Sequence, residues 1–285
     1  MLGMTLSAKN GDDGMKLKKI LNNNAVLVVD KGEEKVAIGT GIAFGKKKND
    51  VINSQKVEQL FVMKENEKLQ LLLDRIPEEH FLISEEIISY AEKYLGTMLS
   101  EHIHIALTDH ISFAIERTQD GIHLQNKLLN EIKILYRNEY EIGLWAVQRI
   151  REKYDIDIPI DEAAHIALHI HTMKLQGGDY RQTIKHTAIV REMIQHIMQK
   201  MAMKFREDDI SYQRLVTHLH FALSRVSHYE MHELDQEMLS MIQKKFADSY
   251  QCTKEVTDII QNKYDIYFPE SELGYITMHL NRLKQ

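Results

Sequence analysis

The chain has 285 residues, 44% hydrophobic and 27% charged, with a net charge of −6; that length exceeds one domain of about 100–200 residues and suits two or three. One cysteine, Cys252, excludes a disulfide framework and a multi-cysteine zinc site and fits a reducing, cytoplasmic setting. No apolar run approaches the ~20 residues of a membrane span and the N-terminus lacks a signal-peptide core, so neither membrane insertion nor export is expected.

Residues 1–14 are polar and aperiodic and read as a flexible extension, set aside from fold reasoning. From 15 to 64 there are ten lysines against five acids, a local +5 that leaves −10 for residues 65–285. A basic head on an acidic body points the head towards a polyanion; a solvated lysine face is the plainer reading of the same excess. The pattern here is β. Residues 25–29 are a valine-rich run, 30–34 make a turn, and 35–38 resume with β-branched residues. Gly39-Thr40-Gly41 leads into Ile42-Ala43-Phe44, a basic loop spans 45–50, and 57–63 suits a last strand. Four short strands with no helix to cover them bury too little alone, so a partner is expected to complete the core, most simply a second copy.

From about Glu67 the period becomes helical and no strand signal returns. This part is duplicated. Tyr154-Asp155-Ile156-Asp157-Ile158-Pro159 is echoed 110 residues later by Tyr264-Asp265-Ile266-Tyr267-Phe268-Pro269, and the same offset pairs Glu162 with Glu272 and His169 with His279. After a two-residue adjustment, Thr108-Asp109-His110 aligns with Val216-Thr217-His218. Two whole helical domains therefore follow the head, with their boundary near Gln176-Gly177-Gly178-Asp179, rather than stacked short repeats. Asp161 and Ser271 are the expected N-caps of the helices that carry His169 and His279.

Fifteen histidines invite a metal reading, and His165 and His169 have the i, i+4 spacing of zinc ligands. The duplication argues against it: His165 corresponds to Tyr275, His171 to Asn281, and His104 to Tyr212, so ligands are not kept together, and no metal or other cofactor is expected. What both copies keep is one histidine in each of two helices, His110 with His218 and His169 with His279. Hydrogen-bonded histidines within helix packing would explain single cases; a matched set suits an accessible imidazole that accepts a phosphoryl group. A P-loop, a dinucleotide fingerprint and a serine elbow are all absent, so no enzyme is expected.

Lys16-Leu17-Lys18-Lys19-Ile20-Leu21-Asn22-Asn23-Asn24-Ala25, Gly39-Thr40-Gly41-Ile42-Ala43-Phe44 and Lys46-Lys47 resemble the co-antiterminator RNA-binding domain of the BglG/SacY/LicT transcriptional antiterminators. Leu107-Thr108-Asp109-His110, Ile166-Ala167-Leu168-His169-Ile170, Thr217-His218-Leu219 and Thr277-Met278-His279-Leu280 resemble its paired PTS-regulation domains. The resemblance covers essentially 15–285. It implies a multidomain α+β chain: a four-stranded antiparallel sheet at 15–70 that dimerises, then two homologous all-α, five-helix domains at 71–176 and 177–285. It also implies that the head binds a leader-mRNA hairpin and so prevents the overlapping terminator from forming in a sugar-utilisation operon. The implied RNA contacts are Lys19, Asn22, Asn24, Gly39, Thr40 and Phe44: lysine for phosphate, asparagine for base edges or riboses, glycine for close approach, phenylalanine for stacking. Some relatives carry arginine where this chain has Thr40. His110 and His169 are implied targets of a sugar-specific PTS enzyme II that silences the protein, and His218 and His279 targets of the carrier HPr that activates it. The alternatives from the residues are a DNA-binding activator with the same regulatory domains, which needs a helix-turn-helix where 15–64 read as strands, and a metal-dependent helical hydrolase.

Overall fold

The computed structural model describes residues 14–21, 23–62, 75–174, 179–203, 209–228 and 234–283. The extension at 1–13, Asn22, the end of the last strand expected at 57–63, and the Gln176–Gly178 boundary fall outside the described residues. The described part is mostly helical with one small antiparallel sheet. Its strands β1 (Lys16–Ile20), β2 (Ala25–Asp30), β3 (Glu33–Ile38) and β4 (Gln59–Val62) lie in chain order, each antiparallel to the next. Ten helices follow among the described residues: α1 (Glu78–Leu95), α2 (His102–Gln119), α3 (Leu129–Leu135), α4 (Arg137–Tyr154), α5 (Asp161–Thr172), α6 (Tyr180–Lys200), α7 (Ile210–His228), α8 (Gln236–Lys245), α9 (Ala247–Tyr264) and α10 (Glu270–Arg282).

The chain forms two compact units, one of residues 1–88 and 101–116, the other of 89–100 and 117–285. In the first unit the sheet register is set by a tight hairpin. Lys31 and Gly32 both have positive φ, 51° and 85°, so two residues suffice to reverse the chain and the strand resumes at Glu33, earlier than the sequence suggests. Two further corrections concern the strands. Residues 16–20, read only as part of a lysine-rich motif, form β1, and their free edge is met by 49–52 through Leu17 N–H to Asp50 O at 2.8 Å and Ile52 N–H to Met15 O at 2.8 Å. Ile42-Ala43-Phe44 are turn rather than strand.

The expectation that nothing in the chain covers the sheet is also corrected. One face packs Leu17, Val26, Val28 and Ala37 against Ile42, Ala43 and Ile52 of the following loop. The other packs Ala25, Leu27, Val36 and Ile38 against Phe81 of α1, with Ile105 of α2 beside them. β2 is therefore apolar on both faces, which is why its valine-rich run does not alternate. The unit runs into the first helices because Phe81 is fully buried against the sheet.

In the second unit the repeated Tyr-Asp-Ile motif proves to be helix punctuation. Asp155 and Asp265 follow α4 and α9 in the left-handed conformation, with φ of 51° and 56°, and each donates its N–H to the carbonyl four residues back. Ile158 and Phe268 then turn into the core. The caps expected at the next helices are not the ones used: α5 follows Ile160 and α10 follows Pro269, neither with a side-chain cap. Asp161 instead accepts the Asn126 N–H at 2.6 Å. α6, α7, α9 and α10 share a core of Val190, Ile194, Leu219, Leu223, Val256, Ile276 and their neighbours, against which Ile134 and Leu135 of α3 also pack.

Both copies contain the same ion pair. Arg117 meets Glu162 at 2.5 Å, and Arg225 meets Glu272 through two bonds at 2.7 and 2.6 Å. Both carboxylates are almost wholly buried. Arg117→Met should leave the Glu162 charge buried without its cation and destabilise the unit by roughly 3–5 kcal/mol, whereas removing both partners, Arg117→Met with Glu162→Leu, should recover most of that loss. Urea unfolding of the two variants measures the difference.

Candidate functional site

Two separate places gather the residues singled out by sequence. In the first unit, the turn that follows β3 is held from below by Asn24. Its side-chain oxygen accepts the Gly41 N–H, its amide donates to Glu78 Oε1 at 2.6 Å, and its carbonyl accepts the Gly39 N–H at 2.9 Å. Glu58 holds the same turn from the other side, accepting both the N–H and the hydroxyl of Thr40 at 3.0 Å. Gly39 is buried, and a Cβ there would lie 1.8 Å from the Lys56 carbonyl oxygen, so the demand for glycine arises from close approach within the protein. What this scaffold presents is Phe44, 80% exposed, with Lys47 and Lys48 exposed after it and Lys19 exposed on β1. Asn22 lies outside the described residues.

A large apolar ring held in solvent, with exposed lysines beside it in sequence, has the chemistry to stack an unpaired base and meet phosphate. Phe44 is accordingly not part of the sheet core. Asn24, 8% exposed and bonded on three sides, is a buried support of the turn. Sequence reasoning missed Glu58 and Glu78 as the carboxylates that hold the turn; neither belongs to a motif, and Glu78 is 54 residues from Asn24.

In the second unit, α7 and α10 bring His218 and His279 face to face, ring centroids 3.3 Å apart and planes 17° from parallel. The pair borders a cavity of about 370 Å³ lined also by Ala222, Arg225, Tyr275 and Ile276. Burial lowers the His218 pKa, and Arg225, Arg282 and Arg214 lower it further. Burial, the neighbouring His218, and Arg282 and Arg225 bring His279 down to about 4. Both rings are therefore neutral near pH 7, the form with a nucleophilic nitrogen, and they lie in a cationic field suited to an added anion. Arg225 has two roles: its pairing with Glu272 ties α7 to α10, and its charge acts on both imidazoles. This pairing was legible in the duplication, since Arg117 and Arg225 follow His110 and His218 by the same seven positions.

His110 is half-buried in α2, after the exposed Asp109. His169 is half-buried near the end of α5 and stacks on Tyr180, centroids 4.8 Å apart. Three histidines that the duplication does not keep serve internal bonds: His80 with Ser112 at 2.9 Å, His104 with Glu85 at 2.6 Å, and His171 with Glu139 at 3.1 Å. Burial pushes the Glu139 carboxyl up, but hydrogen bonds from His171 and Lys174 outweigh it and bring the group down to about 2. Among the described residues no group of three or more His, Cys, Asp or Glu is placed to hold a metal ion, and no helix is long and apolar enough to cross a membrane.

A basic sheet domain presenting an aromatic ring, joined to a duplicated helical module, defines a nucleic-acid-binding regulator. Comparison with known proteins narrows this. Residues 15–70 match the CAT RNA binding domain, and 85–173 and 191–283 each match the PRD domain. The chain is 37% identical over 274 residues to the transcription antiterminator LicT of Bacillus subtilis (strain 168), covering 94% of this chain and 99% of that protein. It is 33% identical over 275 residues to the beta-glucoside operon antiterminator of Dickeya chrysanthemi, covering 95% and 97%. A crystal structure of GlcT CAT-PRDI is 38% identical and superposes with a TM-score of 0.54, over 57% of this chain and 99% of that one. The chain belongs to the BglG/SacY/LicT family of RNA-binding transcriptional antiterminators with PTS-regulation domains.

The depressed histidines make stability pH-dependent with a definite sign. Between the ordinary imidazole value of 6.5 and about 4, the unfolded chain binds the proton that folded His279 and His220 refuse, so stability falls as pH falls through that window. Urea midpoints at pH 7 and pH 5 should differ less for His279→Gln than for the parent, and the His279 ring protons should titrate near pH 4 by NMR.

Proposed function

We propose that residues 15–70 form a dimer that clamps a hairpin in a leader mRNA, excludes the overlapping terminator, and lets transcription run into a sugar-utilisation operon. Residues 71–176 and 177–285 are the two regulatory domains. A sugar-specific PTS enzyme II modifies His110 and His169 and silences the protein, while HPr modifies His218 and His279 and activates it. The observation that carries this reading is that one chain, in the domain order of antiterminators, joins the exposed Phe44 on its lysine-flanked turn to His218 and His279 paired beside Arg225. The proposal of a dimer rests on the family likeness, since within this chain Phe81 and the 42–52 loop cover the sheet.

The opposite signs assigned to the two domains have a local physical basis. A phosphoryl group adds about two negative charges. At His110 it would lie next to Asp109 in sequence, a like charge. At His218 it would meet the field of Arg225, Arg282 and Arg214, which holds an anion in place and consolidates the domain.

Phe44→Ala should lose about 1–3 kcal/mol of RNA affinity with the circular dichroism of the protein unchanged, whereas Asn24→Ala should disturb the turn as well as binding. Fluorescence anisotropy with the chain's own leader hairpin, across a salt series, measures both; affinity should fall with salt as counterions are released. Equal affinity for the matching DNA duplex would favour the DNA-binding alternative. In cells carrying a reporter behind the terminator, His110→Ala should permit read-through without the inducing sugar, and the double variant His218→Ala/His279→Ala should be hard to switch on. A sugar-dependent first variant together with a fully active second one reverses the assignment.

A further inference from the structure

His169 and Tyr180 belong to different repeats, yet their rings stack at 4.8 Å with planes 27° apart. Tyr180 is the first residue of α6 and its backbone is pinned there: the Asp179 carboxylate caps the helix by accepting the N–H groups of Arg181, at 2.6 Å, and Gln182, at 3.1 Å. Seven residues on, Thr187 is fully buried and its hydroxyl lies 3.4 Å from that of Tyr136, which precedes α4. The first helix of the second repeat thus touches the first repeat at both its opening turn and its third. The Nδ1 atom of His169 is buried, so a group can be added without opening the helix only at Nε2. Burial and the nearby Glu162 carboxylate push the Tyr180 phenol pKa up, marking this surrounding as one that disfavours negative charge.

We propose that Tyr180 is the positioning residue of His169, and that through this stack a group added to His169 is felt by the second repeat. The ring holds the imidazole in one orientation; an anion built on that imidazole, beside Glu162, repels the phenol face and loosens the first turn of α6. The inference rests on reading His169 as a modified residue. If the modifying group is a phosphoryl, the imidazole nitrogen forms the new N–P bond as the P–N bond of a donor phosphohistidine breaks, and the donor nitrogen keeps that electron pair. The repeats then communicate through this aromatic contact.

Two chemical probes on the full-length protein separate this proposal from the reading beneath it. Diethyl pyrocarbonate acylates neutral imidazole whether or not the cell ever phosphorylates it, and peptide mass spectrometry reports each histidine. Tyr180→Ala should acylate at His169 about fivefold faster or more, since the stack no longer has to open first, with the exposed His123 as internal reference. Tyr180→Phe keeps the ring and should behave as the parent. In the parent, a phosphoryl group added to His169 by phosphoramidate should raise amide hydrogen exchange across 180–187; this response should vanish in Tyr180→Ala and in His169→Ala. Unchanged acylation in Tyr180→Ala, or an exchange response that survives in it, overturns the proposal. Phosphoramidate, a small phosphoryl donor, is the second probe: if the stack behaves as expected but His169 takes no phosphoryl group, the positioning role stands and the phosphorylation reading fails.

Discussion

The buried arginine–glutamate pair, made once in each repeat, is the constraint on which the regulatory half of the molecule depends. A carboxylate with no solvent access must keep its cation, so Glu162 holds Arg117 and Glu272 holds Arg225, and the helices carrying them cannot slide apart. In the second repeat this also fixes the site. Arg225 lies seven residues, about two turns, beyond His218 on α7, and Glu272 lies the same distance before His279 on α10, so tying arginine to glutamate brings the two imidazoles into contact. A guanidinium needed for structure then supplies the positive field in which the rings stay neutral.

The RNA-facing half works by a different economy. In its turn after β3, Asn24 accepts the N–H groups of Gly39 and Gly41 and Glu58 that of Thr40, while those of Ile42 and Phe44 bond within the turn and that of Ala43 reaches the Asn23 carbonyl. With the turn held from beneath, Phe44 stands in solvent outside the core. Residues implied as one functional set therefore divide by physical role: Phe44 and Lys19 face outward, while Asn24 and Gly39 are interior supports.

Three signals were legible in the sequence, each for a local reason. The duplication at an offset of 110 was visible because both copies need the same helix stop, an aspartate in the left-handed region followed by a buried apolar residue and proline. The change from β to helical pattern was visible because periodicity is a property of contiguous residues, and its expected place near Glu67 lies outside the described residues. The matched histidines stood out because the second copy served as a control for the first. Signals that misled were equally local. Ile42-Ala43-Phe44 has strand composition but not strand geometry, since Gly39 and Gly41 lead it into turns, and two of its side chains fold back onto the sheet. Asp161 has the residue type of a cap, but its carboxylate is used by Asn126.

By itself, then, the sequence determined the class of each segment, the duplicated architecture, the basic head and the four histidines that both copies keep. These are encoded in composition, period and offset, all of which survive without knowledge of distance. Tertiary structure alone decided which of those residues meet. That Glu78 supports Asn24 across 54 positions, that Phe81 covers the sheet, that His218 stacks on His279, and that Tyr180 of one repeat lies on His169 of the other are facts of packing between segments remote in sequence. Nothing in a linear pattern ranks one such contact above another, because the choice is made by burying apolar surface and satisfying buried charge over the whole chain at once.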